Sequence, residues 1–225
     1  MLPIRNTDDR WGMVTIALHW LTVLAVVGLC VVGFLMQELP SGKFKLDVYA
    51  VHKSFGLTVL GLTMLRLLWR LVAGAPRPEP MPRIQAFAAT VSHGLLYVVL
   101  LAMPLSGWLY NSAAGFPLKW FGQFALPRLF TRDRDVAELA VEAHETLFLV
   151  LAALVTIHAA AALLHHYVFR DRTLQRMLPM AGPPPPRPGA AAPASTPADA
   201  VPASAPDRVA TAPLDDAVGP PPAGS

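Results

Sequence analysis

The sequence predicts an all-α integral membrane protein, a bundle of four transmembrane helices followed by a disordered C-terminal tail. Three observations carry that reading. Of the 225 residues, 54% are hydrophobic and only 15% charged, with a mean hydropathy of +0.45, a composition typical of membrane proteins. Four stretches are long and apolar enough to cross a hydrocarbon layer of about 30 Å, which takes about 20 helical residues. Finally, 13 of the 23 prolines fall after residue 180, which separates an apolar domain, residues 1–181, from a Pro/Ala-rich tail, residues 182–225.

The first span runs from Met13 to Met36 without a charged residue. A cleaved signal peptide is the competing reading, but the run is too long for its apolar region and has no Ala-x-Ala type cleavage site. The second extends from about Tyr49 to Val72, with Lys53 near one end and Arg66 and Arg70 near the other, where long basic side chains can snorkel to the interface. The third lies within the charge-free residues 84–116, roughly Phe87 to Tyr110, and carries Pro104 as an expected kink. The fourth is Thr146 to Phe169, with helical periodicity continuing upstream to Val136. The tail, rich in Pro, Ala, Ser and Gly, lacks the bulky apolar residues that would offset its ordering entropy.

Composition also excludes several functions. A single cysteine, Cys30, rules out an internal disulfide and any metal cluster held by thiolates alone. The net charge of +3 is dispersed among apolar runs and acids, so nucleic acid is not an expected partner.

Four spans place both termini on one side of the membrane. Arg5, Arg10, Arg66, Arg70, Arg77, Arg83, Arg170, Arg172 and Arg176 fall on that side, against Lys43, Lys45, Lys53, Lys119, Arg128, Arg132 and Arg134 on the other. Nine against seven is a small margin, and it orients both termini to the cytoplasm.

Five of the seven histidines, His19, His52, His144, His158 and His165, lie within or at the edge of a span, where ionisable side chains are costly and point to function. A lone intramembrane histidine is more often a packing residue or proton relay than a ligand. Here four occur at paired depths. His144 and His158 are fourteen residues apart, nearly four turns, so they share a helix face about 21 Å apart along the axis. On the antiparallel neighbours, His52 matches the outer level of His144 and His19 the inner level of His158. Two stacked bis-histidine metal centres follow, and haem suits them, because two axial imidazoles complete an iron already held by a porphyrin. Without a Cys-x-x-Cys-His motif the haem is noncovalent, b-type. Gly28, Gly33, Gly56 and Gly61 would give a macrocycle room or merely let helices approach. His93 has no evident partner and reads as an interfacial or quinone-side polar group, and His165 and His166, with Tyr167, as interface anchors.

With the histidines placed, the chain resembles the bacterial di-haem cytochrome b561 family over about residues 10–180. The segments that carry the likeness are Arg10-Trp11, Ile16-Ala17-Leu18-His19-Trp20, Val51-His52-Lys53-Ser54-Phe55-Gly56, Met64 to Arg70, Ser92-His93, Pro104 to Trp108, His144 to Leu147, and His158 to Tyr167 with Arg172 to Pro179. The resemblance implies a multi-pass protein of the bacterial inner membrane with two haems b, ligated by His19, His52, His144 and His158, that exchanges electrons with ubiquinone. It looks like the superoxide oxidase subgroup, which oxidises superoxide on the periplasmic side. In that case outer cations would steer the anion, with Lys53, beside His52, the first candidate. The alternative is a cytochrome b anchor subunit that relays electrons between quinone and a protein partner, and a haem-free transporter or scaffold is the least favoured. The Pro/Ala tail departs from the family's short endings.

Overall fold

The computed structural model describes residues 3–179, and the expected disordered tail, residues 182–225, lies outside them. Four helices dominate: α1 (Met13–Glu38), α2 (Lys43–Ala73), α3 (Arg83–Ala113) and α4 (Arg134–Leu164). All four are long and apolar enough to cross a membrane. The last three have 31 residues each, about 46 Å of helix, so they overrun the hydrocarbon and begin or end on charged residues. That overrun is why α2 starts six residues before the apolar run does and why α4 takes in the acidic stretch upstream of Glu145.

The side of the bundle at which the described residues begin and end is called inner here. There the N-terminal segment, the α2–α3 connection and the C-terminal segment are tied together. Asn6 Nδ2 donates to Gly74 O, and Asn6 Oδ1 accepts from Gly12 N and Thr15 Oγ1. Arg176 donates to Arg77 O and pairs with Glu79 at 3.2 Å, and Trp20 Nε1 donates to Met177 O. Gly12 is required by this packing, since a Cβ there would meet the backbone of Arg5 at 2.4 Å.

The outer end holds the one departure from an all-helical chain among the described residues. A short antiparallel ribbon joins β1 (Lys119–Trp120) to β2 (Phe124–Ala125), lying against α2, where Ser54 Oγ accepts from Phe121 N at 3.0 Å and Trp120 Nε1 donates to Thr58 Oγ1. α4 then opens on Asp133, whose side chain accepts from Asp135 N and Val136 N and so satisfies two of the helix's free donors. At its other end α4 passes into a single π-helical turn, His165–Phe169, a form often found at functional positions.

Between the two ends, Val26, Val59, Val99, Leu100 and Leu151 form the buried core. This apolar layer separates two cavities, because Val26 and Leu100 line both.

Candidate functional site: two histidine tiers

The outer cavity, about 300 Å³, is lined by His52 and His144 together with Gly33, Gly56, Met103 and Glu145. The two imidazole centres are 6.4 Å apart with planes at 75°. The inner cavity, about 80 Å³, is lined by His19, His158, His93, Arg66 and Tyr97, and His19 and His158 are again 6.4 Å apart, with planes at 67°. The structure thus brings together the pairs that depth matching proposes.

That separation discriminates between ways of using the rings. Two imidazoles in contact edge to face sit about as His93 and His158 do, at 5.3 Å. Two imidazoles on opposite sides of one metal need about 6.3 Å, from bonds of about 2.0–2.1 Å and about 1.1 Å from each nitrogen to its ring centre. Both predicted pairs have the wider spacing. His93, read from sequence as an interfacial or quinone-side polar group, lies inside the inner cavity against His158, too close to stand with it on opposite sides of one metal. No three His, Cys, Asp or Glu among the described residues converge to hold a bare ion. A donor set of two nitrogens per tier therefore fits a metal that brings its remaining ligands with it, as haem does.

The ring nitrogens fit the same use. His144 Nδ1 lies 3.0 Å from Met103 O and 3.1 Å from Ser106 Oγ, which itself donates to Met103 O at 2.7 Å. A carbonyl only accepts, so the proton is on Nδ1 and the Nε2 lone pair is free for a metal. For His19 and His52, Nδ1 is buried with no hydrogen-bond partner among the described residues while the ring lines a cavity.

Glycine explains how two helices come close to the outer rings. A Cβ on Gly33 would lie 3.2 Å from His52 Cε1, and one on Gly107 would lie 3.1 Å from His144 Cε1. Of the four glycines proposed to make room, Gly33 does so and Gly56 lines the outer cavity, whereas Gly28 and Gly61 line neither cavity and face open space. Gly107 was missed. The signal for it was present: it stands fourteen residues after His93, the interval that relates His144 to His158.

The remaining candidates occupy the two ends. Lys53 is outside the lining of the outer cavity and holds its ammonium 5.5 Å from the centre of the Phe116 ring, as follows from a position about 100° around the helix from His52. Lys43 and Arg134 pair with Asp47 and Glu138, Lys45 Nζ donates to the carbonyls of Gln37 and Leu39, and Lys119, Arg128 and Arg132 make no ion pair with described residues. At the inner end His165, in the π-helical turn, is paired through Nδ1 with Asp171 Oδ2. Burial alone would raise the Asp171 carboxyl, but hydrogen bonds from His165 and Thr173 outweigh it and hold it below its ordinary value. His166 packs edge-on to Tyr167, 4.8 Å between centres.

Comparison with known proteins identifies the family. The family model described as prokaryotic cytochrome b561 matches residues 10–180. Cytochrome b561 homolog 2 of Escherichia coli (strain K12) is 34% identical over 183 residues, covering 79% of this chain and 95% of that protein. Cytochrome b561 homolog 1 of the same organism is 32% identical, covering 76% and 98%. A protein of Yersinia pestis named probable superoxide oxidase CybB is 30% identical over 172 residues, covering 76% and 96%. A match across the whole membrane bundle, with four spans and haem-binding chemistry implied by the family, places this chain in the prokaryotic cytochrome b561 family of membrane electron-transfer proteins.

Proposed function

We propose that the protein carries two haems b, one between His52 and His144 and one between His19 and His158, and passes electrons from superoxide at the outer face of a bacterial inner membrane to ubiquinone, with both termini cytoplasmic. The observation that supports this most is the repetition of one geometry, two imidazole pairs with centres 6.4 Å apart, at two depths along α4, which contributes one ring to each pair. A likeness to a protein named probable superoxide oxidase adds support for the donor.

Haem, when bound, supplies a one-electron couple whose potential depends on ligands, burial and nearby charge. The protein's own part is to hold, insulate and attract. Met103 O and Ser106 Oγ orient His144. The layer of Val26, Val59, Val99, Leu100 and Leu151 keeps water from passing between the tiers. Lys119, Arg128 and Arg132 present cations at the outer end that attract a small anion, and Lys53, drawn over Phe116, contributes a smaller share. At the inner end His165 is hydrogen-bonded through Nδ1 to Asp171.

The test is to add superoxide to the purified protein with ubiquinone and follow quinol formation together with the haem spectrum. Quinol should form without any added protein. The second-order rate should fall as ionic strength rises, since the Debye length shortens from about 10 Å at 0.1 M to about 3 Å at 1 M. Replacing Lys119, Arg128 and Arg132 together with Gln should lower it at low salt by about threefold to tenfold, the low end of electrostatic steering. Lys53→Gln should change it less. Quinol formation that requires a protein partner would instead make the chain a relay subunit, and a salt-independent rate would remove steering.

A further inference from the structure

On all four helices the residue at the outer tier and the residue at the inner tier are fourteen apart: His19 and Gly33, His52 and Arg66, His93 and Gly107, His144 and His158. Fourteen residues bring a helix back to nearly the same face about 21 Å further along. The outer tier is therefore made of two imidazoles and two glycines. The inner tier has three imidazoles and a guanidinium, in the smaller cavity of the two.

Arg66 is the residue that this arrangement leaves unexplained. It lines the inner cavity with His19, His93 and His158, and its guanidinium lies 5.5 Å from the centre of the Tyr97 ring. A cation within a membrane span is costly and needs a compensating partner. Among the described residues it pairs with no carboxylate, and the inner halves of the four helices contain no Asp or Glu. Snorkelling toward the interface is the usual escape, yet this side chain is turned into the cavity. Tyr97 offers a cation–π contact and a single neutral hydroxyl, which does not supply a counter-charge to five N–H donors. A bound anion would supply the missing counter-charge.

We propose that Arg66 binds the ionised carboxylate side groups of the macrocycle held between His19 and His158, with His93, edge-on to His158, as a positioning residue. The assignment rests on the two-haem reading above. It also gives electron flow a direction. The outer cavity is lined by Glu145 and the inner by Arg66, and a nearby cation favours the reduced, more negative state of a redox centre while an anion disfavours it. Arg66 therefore raises the potential of the inner centre, which favours movement of electrons inward.

The experiment compares the wild-type holoprotein with Arg66→Gln and Arg66→Lys, each produced with haem carrying ¹³C at its carboxylates. Redox difference infrared spectra report those carboxylates, and a potentiometric titration reports each haem. In Arg66→Gln the labelled carboxylate bands shift, the potential of the inner haem falls while that of the outer haem stays, and the inner haem is released about tenfold faster, the low end of the cost of losing a charged hydrogen bond. Arg66→Lys restores part of each. Labelled bands that do not move with both haems in place overturn the proposal, and loss of tightly bound anionic lipid from the same variant would then assign the cation to a lipid phosphate. Should Arg66→Gln fail to retain the inner haem, Arg66→Lys decides by the same bands. A His19→Ala variant that keeps both haems would instead defeat the inner haem site itself, whatever Arg66 does.

Discussion

His144→Ala is expected to remove one of two haem spectral components and leave the other intact, and His52→Ala to give the same spectrum. His19→Ala and His158→Ala should each remove the second component instead. The reason is geometric: each pair has its ring centres 6.4 Å apart, whereas the tiers are about 21 Å apart along α4 with the Val26–Leu151 layer between them. Groups that only hydrogen-bond to a metal ligand are worth about 10- to 100-fold in metal affinity, so loss of an axial ligand should empty a site rather than weaken it. Haem per chain should fall by half in each single variant. Superoxide-dependent quinol formation should fall at least about a hundredfold in any of the four, because the tiers act in series. A shared spectral loss in His52→Ala and His19→Ala would show that the pairing is wrong.

Gly107→Val is expected to displace the outer haem without unfolding the bundle. An added Cβ already meets His144 Cε1 at 3.1 Å, tighter than ordinary van der Waals contact, and valine adds two methyl groups. Overpacking of this kind costs about 1–3 kcal/mol, here borne by the ring whose Nδ1 is held by Met103 O and Ser106 Oγ. Outer-haem affinity should drop about tenfold to hundredfold. Helix propensity works the other way, since glycine is about 1 kcal/mol less favourable than alanine within a helix, so Gly107→Ala should show a spectral shift with little change in stability. Gly28→Ala is the control, because among the described residues nothing outside its own stretch of helix lies within 4 Å of its added Cβ. If Gly107→Val bound haem like the wild type, the close approach of α3 would have no part in shaping the site.

Much of the architecture could be read in advance, for identifiable reasons. The spans appear as runs without charge, such as Met13 to Met36 and residues 84–116, because hydrocarbon excludes charge, and the tiers appear because a fourteen-residue interval on α4 keeps two histidines on one face. Helix ends were harder to place, since polar residues continue a helix beyond the hydrocarbon without a hydropathy signal. The outer ribbon was hidden because its turn puts Phe121 at φ 46° ahead of Gly122 at φ 72°, where the usual cue for such a turn is Asn-Gly or Asp-Gly. Side-chain direction was harder still. Lys53 is next to His52 in sequence but points to Phe116, and Arg66 and His93 lie at depths consistent with the interface yet turn into the inner cavity. Whether a long basic side chain snorkels or turns inward depends on what the neighbouring helices leave open, and that is a property of packing.

The central claim is that the bundle holds two bis-histidine haem sites. It is tested most directly by the ratio of haem b to polypeptide in the purified, fully loaded protein, with haem measured as the pyridine haemochrome and protein by amino-acid analysis. The account predicts a ratio of about two, as two pairs of axial ligands require. A reproducible ratio of one, or of zero, would contradict it.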